Sequence, residues 1–120
     1  MPSANIGTDD WQRLVGQSET PVAVEFWAPW CVWCKKLMPE FDALASEYEG
    51  KLTLLKLNSE DYPDIAMRYG VMGLPTIKMF CRGRPIGELV GYMPKPKLKA
   101  ELDRLMQNME CLQSSSPMKI

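Results

Sequence analysis

The stretch Trp-Cys-Val-Trp-Cys-Lys-Lys at residues 30–36 places two thiols three positions apart, where one sequence pattern gives way to another. Residues 22–28, just before the pair, are almost entirely apolar, which is typical of a central strand covered on both faces. After the pair, Leu37 and Phe41 begin a series of apolar residues at spacings of three and four, as in a helix. The sequence therefore predicts that Cys31 lies where a buried strand ends and a helix begins.

The remaining segments predict further short helices and strands. Apolar runs indicate a second buried strand at residues 51–58 and a hairpin within residues 76–92. Helical spacing indicates a first helix capped by Thr8, a short helix capped by Ser59 and a last amphipathic helix over residues 95–109. A strand–helix–strand start implies parallel pairing, and the hairpin adds antiparallel strands. The predicted class is α/β, with a central mixed sheet and helices on both faces.

The length, composition and net charge of the chain restrict both its domain organisation and its partners. The chain has 120 residues, of which 46% are hydrophobic, and this predicts one domain over residues 1–109 with a polar tail at 110–120. The formal net charge is −1, so we expect neither a nucleic acid nor a membrane as a partner. No apolar run reaches the ~20 residues that span a bilayer. The first residues are polar, with neither a basic nor an apolar segment, so we expect no secretory leader and a cytoplasmic location. We also expect a monomer.

The two neighbouring thiols could form a disulfide, hold a metal or pass electrons. At a helix N-terminus the Cys31 thiol should ionise more easily, and the thiolate is the nucleophile of disulfide exchange. Cys34 lies one turn further on the same face, so Cys31 is predicted to attack and Cys34 to resolve. The chain contains no histidine, which excludes Cys–His pairs and Ser–His–Asp triads. Cys81 and Cys111 are expected to be ordinary thiols, and a four-thiolate zinc site is the least favoured alternative.

Several segments between residues 6 and 108 resemble, in the same order, segments of one known family. The segment VEFWAPWCVWCKKLMPEF at 24–41 closely resembles the active-site segment of the thioredoxin family. The stretches KLN, YGVMGLPT and RGRPIGELVG resemble later parts of the same family, in the same order. The resemblance implies the thioredoxin fold and a thiol–disulfide oxidoreductase with a redox disulfide between Cys31 and Cys34.

The resemblance also implies a substrate-binding surface around the cysteine pair. Pro75 would be cis and would face the pair, and the backbone before it would bind an extended substrate segment as an added strand. Leu74 and Gly91 would lie beside it. Trp30 and Trp33 flank the thiols and would give the partner chain an apolar surface on which to dock.

One acidic residue interrupts the first apolar run. Glu25 matches a buried acid of the family, and burial should raise the pKa of its carboxyl group. Such a group could exchange a proton with Cys34 near neutral pH. Lys56 matches the lysine that lies near this acid in the family.

The residues between the cysteines depart from the family pattern. Val32 and Trp33 stand where glycine and proline are usual, which leaves the direction of electron flow open. The leading hypothesis is a reductase of protein disulfides that binds no cofactor itself. It would be re-reduced by a separate reductase, either an NADPH-dependent flavoprotein or a ferredoxin-linked enzyme. The alternatives are an oxidase or isomerase, and a non-catalytic binding module.

Overall fold

The computed structural model describes residues 3–107, which form one five-stranded mixed sheet in the order β1-β3-β2-β4-β5. Strands β1, β3 and β2 are parallel, whereas β4 runs antiparallel to both β2 and β5. The predicted hairpin is β4 and β5. The strands are β1 Ala4–Ile6, β2 Val22–Trp27, β3 Thr53–Asn58, β4 Thr76–Cys81 and β5 Arg84–Val90.

Helices cover both faces of the sheet, which confirms the predicted α/β thioredoxin fold. One face packs against the long helix α2 and the last helix α4, and the other packs against α1 and α3. α1 continues directly into a π-helical turn at Gln12–Gly16. The helices are α1 Thr8–Trp11, α2 Val32–Glu47, α3 Pro63–Arg68 and α4 Lys95–Gln107.

Alternation along β2 distributes its side chains between the two cores. Val24 and Phe26 pack in the core beneath α1 and α3, whereas Ala23 packs in the core beneath α2 and α4. Because successive side chains of a strand point to opposite faces, Glu25 shares the α2 face with Ala23. The register pairs Glu25 with Lys56 on β3, so these two side chains lie next to each other on that face.

Three local details differ from the sequence-based expectations. Strand β1 was not predicted, because its three residues are too few to show alternation and only Ile6 is buried. Thr8 is the first residue of α1 and not its cap, which is Gly7. Ser59 does not cap α3. That helix begins at Pro63, whose fixed φ suits the first helical position.

Cys81 also departs from expectation. It is buried at the end of β4 and is disulfide-bonded, so the expectation of an ordinary thiol is wrong for this residue. Cys111, the predicted tail at 110–120 and the predicted domain boundary at residue 109 lie outside the described residues.

Within residues 3–107, no helix has both the length and the apolarity to cross a membrane. In the same range, no three potential metal-ligating side chains come together.

Candidate redox site

Cys31 and Cys34 occupy the first turn of α2, where the chain arrives from the end of β2. Cys31 is the N-cap residue, and its sulfur accepts a hydrogen bond of 3.2 Å from the Cys34 backbone N–H. The two sulfurs are bonded to each other, and the Cα atoms are 5.2 Å apart. An N–H that points at sulfur near the positive end of a helix dipole stabilises a thiolate at Cys31 once the pair is reduced.

The two sulfurs differ in access from outside. Cys34 is completely buried, whereas Cys31 keeps an exposed fraction of 7%. Both pack with Ala28 in a small cluster that Leu74 also contacts. A bulky protein substrate can therefore approach Cys31, while Cys34 is reached only from within the protein. The predicted order of attack, first by Cys31 and then by Cys34, requires a difference of this kind.

A groove runs past the disulfide on one side. The Leu74–Pro75 peptide bond is cis, as the resemblance implied, and Gly91 donates its backbone N–H to the Pro75 carbonyl at 2.8 Å. Gly91 has a φ of 93°, a conformation that favours glycine. The groove has a volume of about 340 Å³ and is lined by Trp33, Leu74, Pro75, Gly91 and Tyr92.

Trp33 and Tyr92 form an aromatic wall of this groove. Their ring centroids are 5.6 Å apart, and 54% of Trp33 remains exposed. The Lys36 ammonium lies 5.2 Å from the Trp33 ring centroid, within range of a cation–π contact. Tyr92 was missed from the sequence, where its position after Gly91 at the end of the hairpin was the available signal.

A second cleft lies on the other side of Leu74. It has a volume of about 240 Å³ and includes Trp30 and Met72, which is 95% exposed. The Trp30 indole N–H donates a hydrogen bond of 2.9 Å to the Glu60 carboxylate, which orients the exposed ring. The disulfide is thus bordered by two clefts that each carry a tryptophan.

Glu25 lies fully buried beneath α2, and neither of its carboxyl oxygens has a hydrogen-bond partner among the described residues. Burial raises the pKa of this carboxyl from 4.5 to about 8. The positive charge of Lys56 acts in the opposite direction, and the negative charge of Asp42 adds to the rise. The group is therefore mostly protonated at neutral pH.

Lys56 forms its ion pair with Asp42 and not with Glu25. Its Nζ lies 3.2 Å from both carboxylate oxygens of Asp42, on α2, although Glu25 is its direct neighbour on β2. Asp42 in turn accepts hydrogen bonds from the backbone N–H and the hydroxyl of Ser3. Asp42 was missed from the sequence. The available signal was an acid next to the inward-facing Phe41, on the face of α2 that covers β3.

The protein-family match and the similar proteins reported below all point to one family. The thioredoxin family model matches residues 3–104. The chain is 41% identical over 99 residues to thioredoxin M5, chloroplastic, of Oryza sativa subsp. japonica, which covers 82% of this chain and 58% of the rice protein. It is 42% identical over 95 residues to an M-type chloroplastic thioredoxin of Zea mays, covering 79% and 57%. Thioredoxin 1 of Nostoc sp. is 35% identical over 102 residues, covering 85% and 95%.

The relatives correct the expected location. The chain spans somewhat more than half the length of the plant proteins it matches, and those proteins carry the word chloroplastic in their names. The expectation of a cytoplasmic location is wrong on this comparison. It rested on the polar character of the first residues, which concerns the signal for secretion and carries no information about chloroplasts.

The family match, the relatives and the cysteine pair agree with one another. They confirm the resemblance noted in the sequence, and they support the predicted thiol–disulfide oxidoreductase activity. The chain belongs to the thioredoxin family.

Proposed function

We propose that this protein reduces disulfide bonds in other proteins by thiol–disulfide exchange. The observation that carries the proposal is the difference between the two bonded cysteines. Cys31 caps α2 and can be reached from outside, whereas Cys34 is wholly buried one turn later. A substrate-facing nucleophile with a sheltered partner is the arrangement that this exchange requires.

The reaction begins with the reduced pair. The Cys31 thiolate attacks one sulfur of the substrate disulfide, which forms a mixed disulfide and releases the first substrate thiolate. Cys34, as a thiolate, then attacks the Cys31 sulfur. The Cys31–Cys34 disulfide forms and the second substrate thiolate leaves, so two electrons have passed to the substrate.

Glu25 is the proposed proton carrier for Cys34. Its carboxylate form would take the Cys34 proton before the second attack, and its acid form would return a proton when the disulfide is reduced again. With a pKa of about 8, both forms are available near neutral pH. The charge of Lys56 stabilises the carboxylate form, which is the role proposed for this lysine.

The groove beside the disulfide is the proposed substrate-binding surface. An extended substrate segment would pair with the backbone before Pro75, as an added strand, and would lie between Leu74 and Gly91. The Trp33–Tyr92 wall would contact the side chain next to the substrate cysteine. Trp30 would contact the substrate from the second cleft.

Truncating Trp33 tests this surface. We expect Trp33→Ala to raise the KM for a protein disulfide substrate by up to about tenfold, with a smaller change in kcat, because an aromatic contact at an interface is lost. Insulin reduction at several substrate concentrations measures both constants. Met67→Ala is the matched control, since Met67 is 76% exposed and lines neither cleft. An unchanged KM in the Trp33 variant would remove Trp33 from the substrate surface.

The proposed electron donor is a ferredoxin-linked reductase. The names of the plant relatives support a chloroplast-type setting for this chain, in which reduced ferredoxin would be the source of electrons. An NADPH-dependent flavoprotein is the other donor that the resemblance implies. In either case electrons enter at the same disulfide, because the reductase must present a thiolate to the Cys31 sulfur, the more accessible of the two.

Coupled turnover tests the function and the donor together. We expect insulin disulfides to be reduced when the chain is supplied with reduced ferredoxin and the ferredoxin-linked reductase, and more slowly with NADPH and the flavoprotein. Substrate thiols, counted by mass after alkylation, give the rate. Failure with both donors, when dithiothreitol reduces the Cys31–Cys34 pair normally, would contradict the proposal. Faster oxidation of a reduced substrate than reduction of an oxidised one would instead support an oxidase or isomerase.

A further inference from the structure

Two acids compete for one buried lysine beneath α2. Lys56 lies between Glu25, its neighbour across the β2–β3 pair, and Asp42 on the helix above. Its side chain is 8% exposed, so it has little access to water and needs a carboxylate partner. The structure gives both of its carboxylate contacts to Asp42, while Glu25 has none.

Asp42 is itself held in place by a residue from the start of the described chain. Ser3, just before β1, donates its backbone N–H at 3.2 Å and its hydroxyl to the same Asp42 oxygen. Ser3 is buried and 39 positions away from Asp42 in the chain. These bonds fix the carboxylate where the lysine must turn towards it, away from the sheet neighbour.

We propose that Asp42 is a positioning residue that holds the Lys56 ammonium away from the Glu25 carboxyl, so that Glu25 keeps the proton it exchanges with Cys34. The charged groups that act on Glu25 are Lys56 from β3 and Asp42 from α2, and its β4 neighbour Ile77 is apolar. The inference rests on the proposed function only in giving Glu25 a proton to exchange. The geometry of the three side chains stands without it.

The physical reason is the strength of a charge pair in a dry environment. A bare ammonium close to a buried carboxyl would stabilise the carboxylate form strongly, because little water screens the pair. Glu25 would then remain ionised at neutral pH and could no longer supply a proton. When Asp42 is its partner, the positive charge of Lys56 is balanced by the Asp42 carboxylate. The lysine then lowers the pKa of Glu25 only in part.

The direct test is the titration of Glu25 in the oxidised chain, followed by carbon-13 NMR of labelled glutamate carboxyl groups. In the parent chain we expect a midpoint of about 8. We expect Asp42→Asn to lower that midpoint by about one pH unit or more, since the freed lysine turns to the remaining carboxylate. Asp103→Asn is the matched control. It removes an aspartate that pairs with Lys99 and Tyr48 on the far part of the α2–α4 interface, and it should leave Glu25 unchanged.

A second background separates positioning from the direct charge of Asp42. In Lys56→Met, the Asp42→Asn change should move the Glu25 midpoint by less than half as much, because there is no lysine to release. An equal shift in both backgrounds would overturn the proposal, since Asp42 would then act on Glu25 only through its own charge. No shift in either background would overturn it as well.

Ser3→Ala keeps the test decisive if an Asp42 variant fails to fold. It removes the hydroxyl contact and leaves all three ionisable side chains in place, and the expected result is a smaller downward shift of the Glu25 midpoint. An unchanged midpoint would overturn the part of the proposal in which the Ser3 hydroxyl holds Asp42 in place, since only that bond is removed. The titration requires no turnover, so a chain that fails to reduce insulin could still confirm the positioning role, and an active chain could still refute it.

Discussion

Replacing Cys31 with serine should lower the rate of insulin reduction by about 10³-fold or more, since the side chain that forms the substrate bond is lost. A serine hydroxyl does not ionise near neutral pH and cannot form a disulfide. The fold should be unaffected, because serine is nearly isosteric with cysteine and the N-cap position favours a hydroxyl. The measurement is the initial rate at matched protein concentration, with circular dichroism to check the fold.

A second variant, Cys34→Ser, tests the order in which the two thiols react. Cys34→Ser should also lose turnover, but it should accumulate a covalent adduct with the substrate, because Cys31 still attacks and nothing resolves the product. The adduct is visible on a non-reducing gel and disappears with dithiothreitol. An adduct that forms on Cys31→Ser instead would reverse the assigned roles. Retained partner binding without any turnover in the parent chain would support the non-catalytic binding module.

The sequence was most informative where local pattern and chemistry coincide. The apolar run before Cys31 and the helical spacing after it placed the thiols at a strand-to-helix junction, and the structure has them there. The acid in that run was correctly expected to be buried with a raised pKa, because apolar residues at successive positions around it predict a strand that is covered on both faces. Both predictions depend on residues that are close together in the chain.

Contacts between distant segments could not be predicted in the same way. The contacts of Asp42 with Ser3 and Lys56 join α2 to β3 and to the residue before β1, and no periodicity in the sequence connects these three segments. The Trp33–Tyr92 wall likewise joins the start of α2 to the end of the β4–β5 hairpin. Such contacts depend on sheet order and on how α2 lies across the sheet. Short elements such as β1 were also missed, because pairing with β3 and not propensity stabilises them.

Removing the buried acid should stabilise the oxidised protein, and the gain should depend on pH. The pKa of Glu25 is raised from 4.5 in the unfolded chain to about 8 in the folded one. Between these values the folded state binds more protons than the unfolded state, so stability falls as pH rises through this window. At pH 7 the loss amounts to about 3 kcal/mol, from roughly 2.5 pH units at about 1.4 kcal/mol each.

Glu25→Gln removes the ionisation and keeps the shape of the side chain. We therefore expect the variant to be more stable than the parent by about 3 kcal/mol at pH 7, and by little at pH 4, where both states of the parent are mostly protonated. Urea unfolding of the oxidised chains at both pH values measures the difference. Glu88→Gln is the control, since it removes a half-exposed glutamate that pairs with Lys78 on the surface, where ion pairs contribute under about 1 kcal/mol. If Glu25→Gln raised the free energy of unfolding equally at pH 4 and pH 7, the gain would come from packing of the side chain and not from loss of a buried ionisation. In that case the carboxyl would titrate near its ordinary value and could not serve as the proton carrier for Cys34.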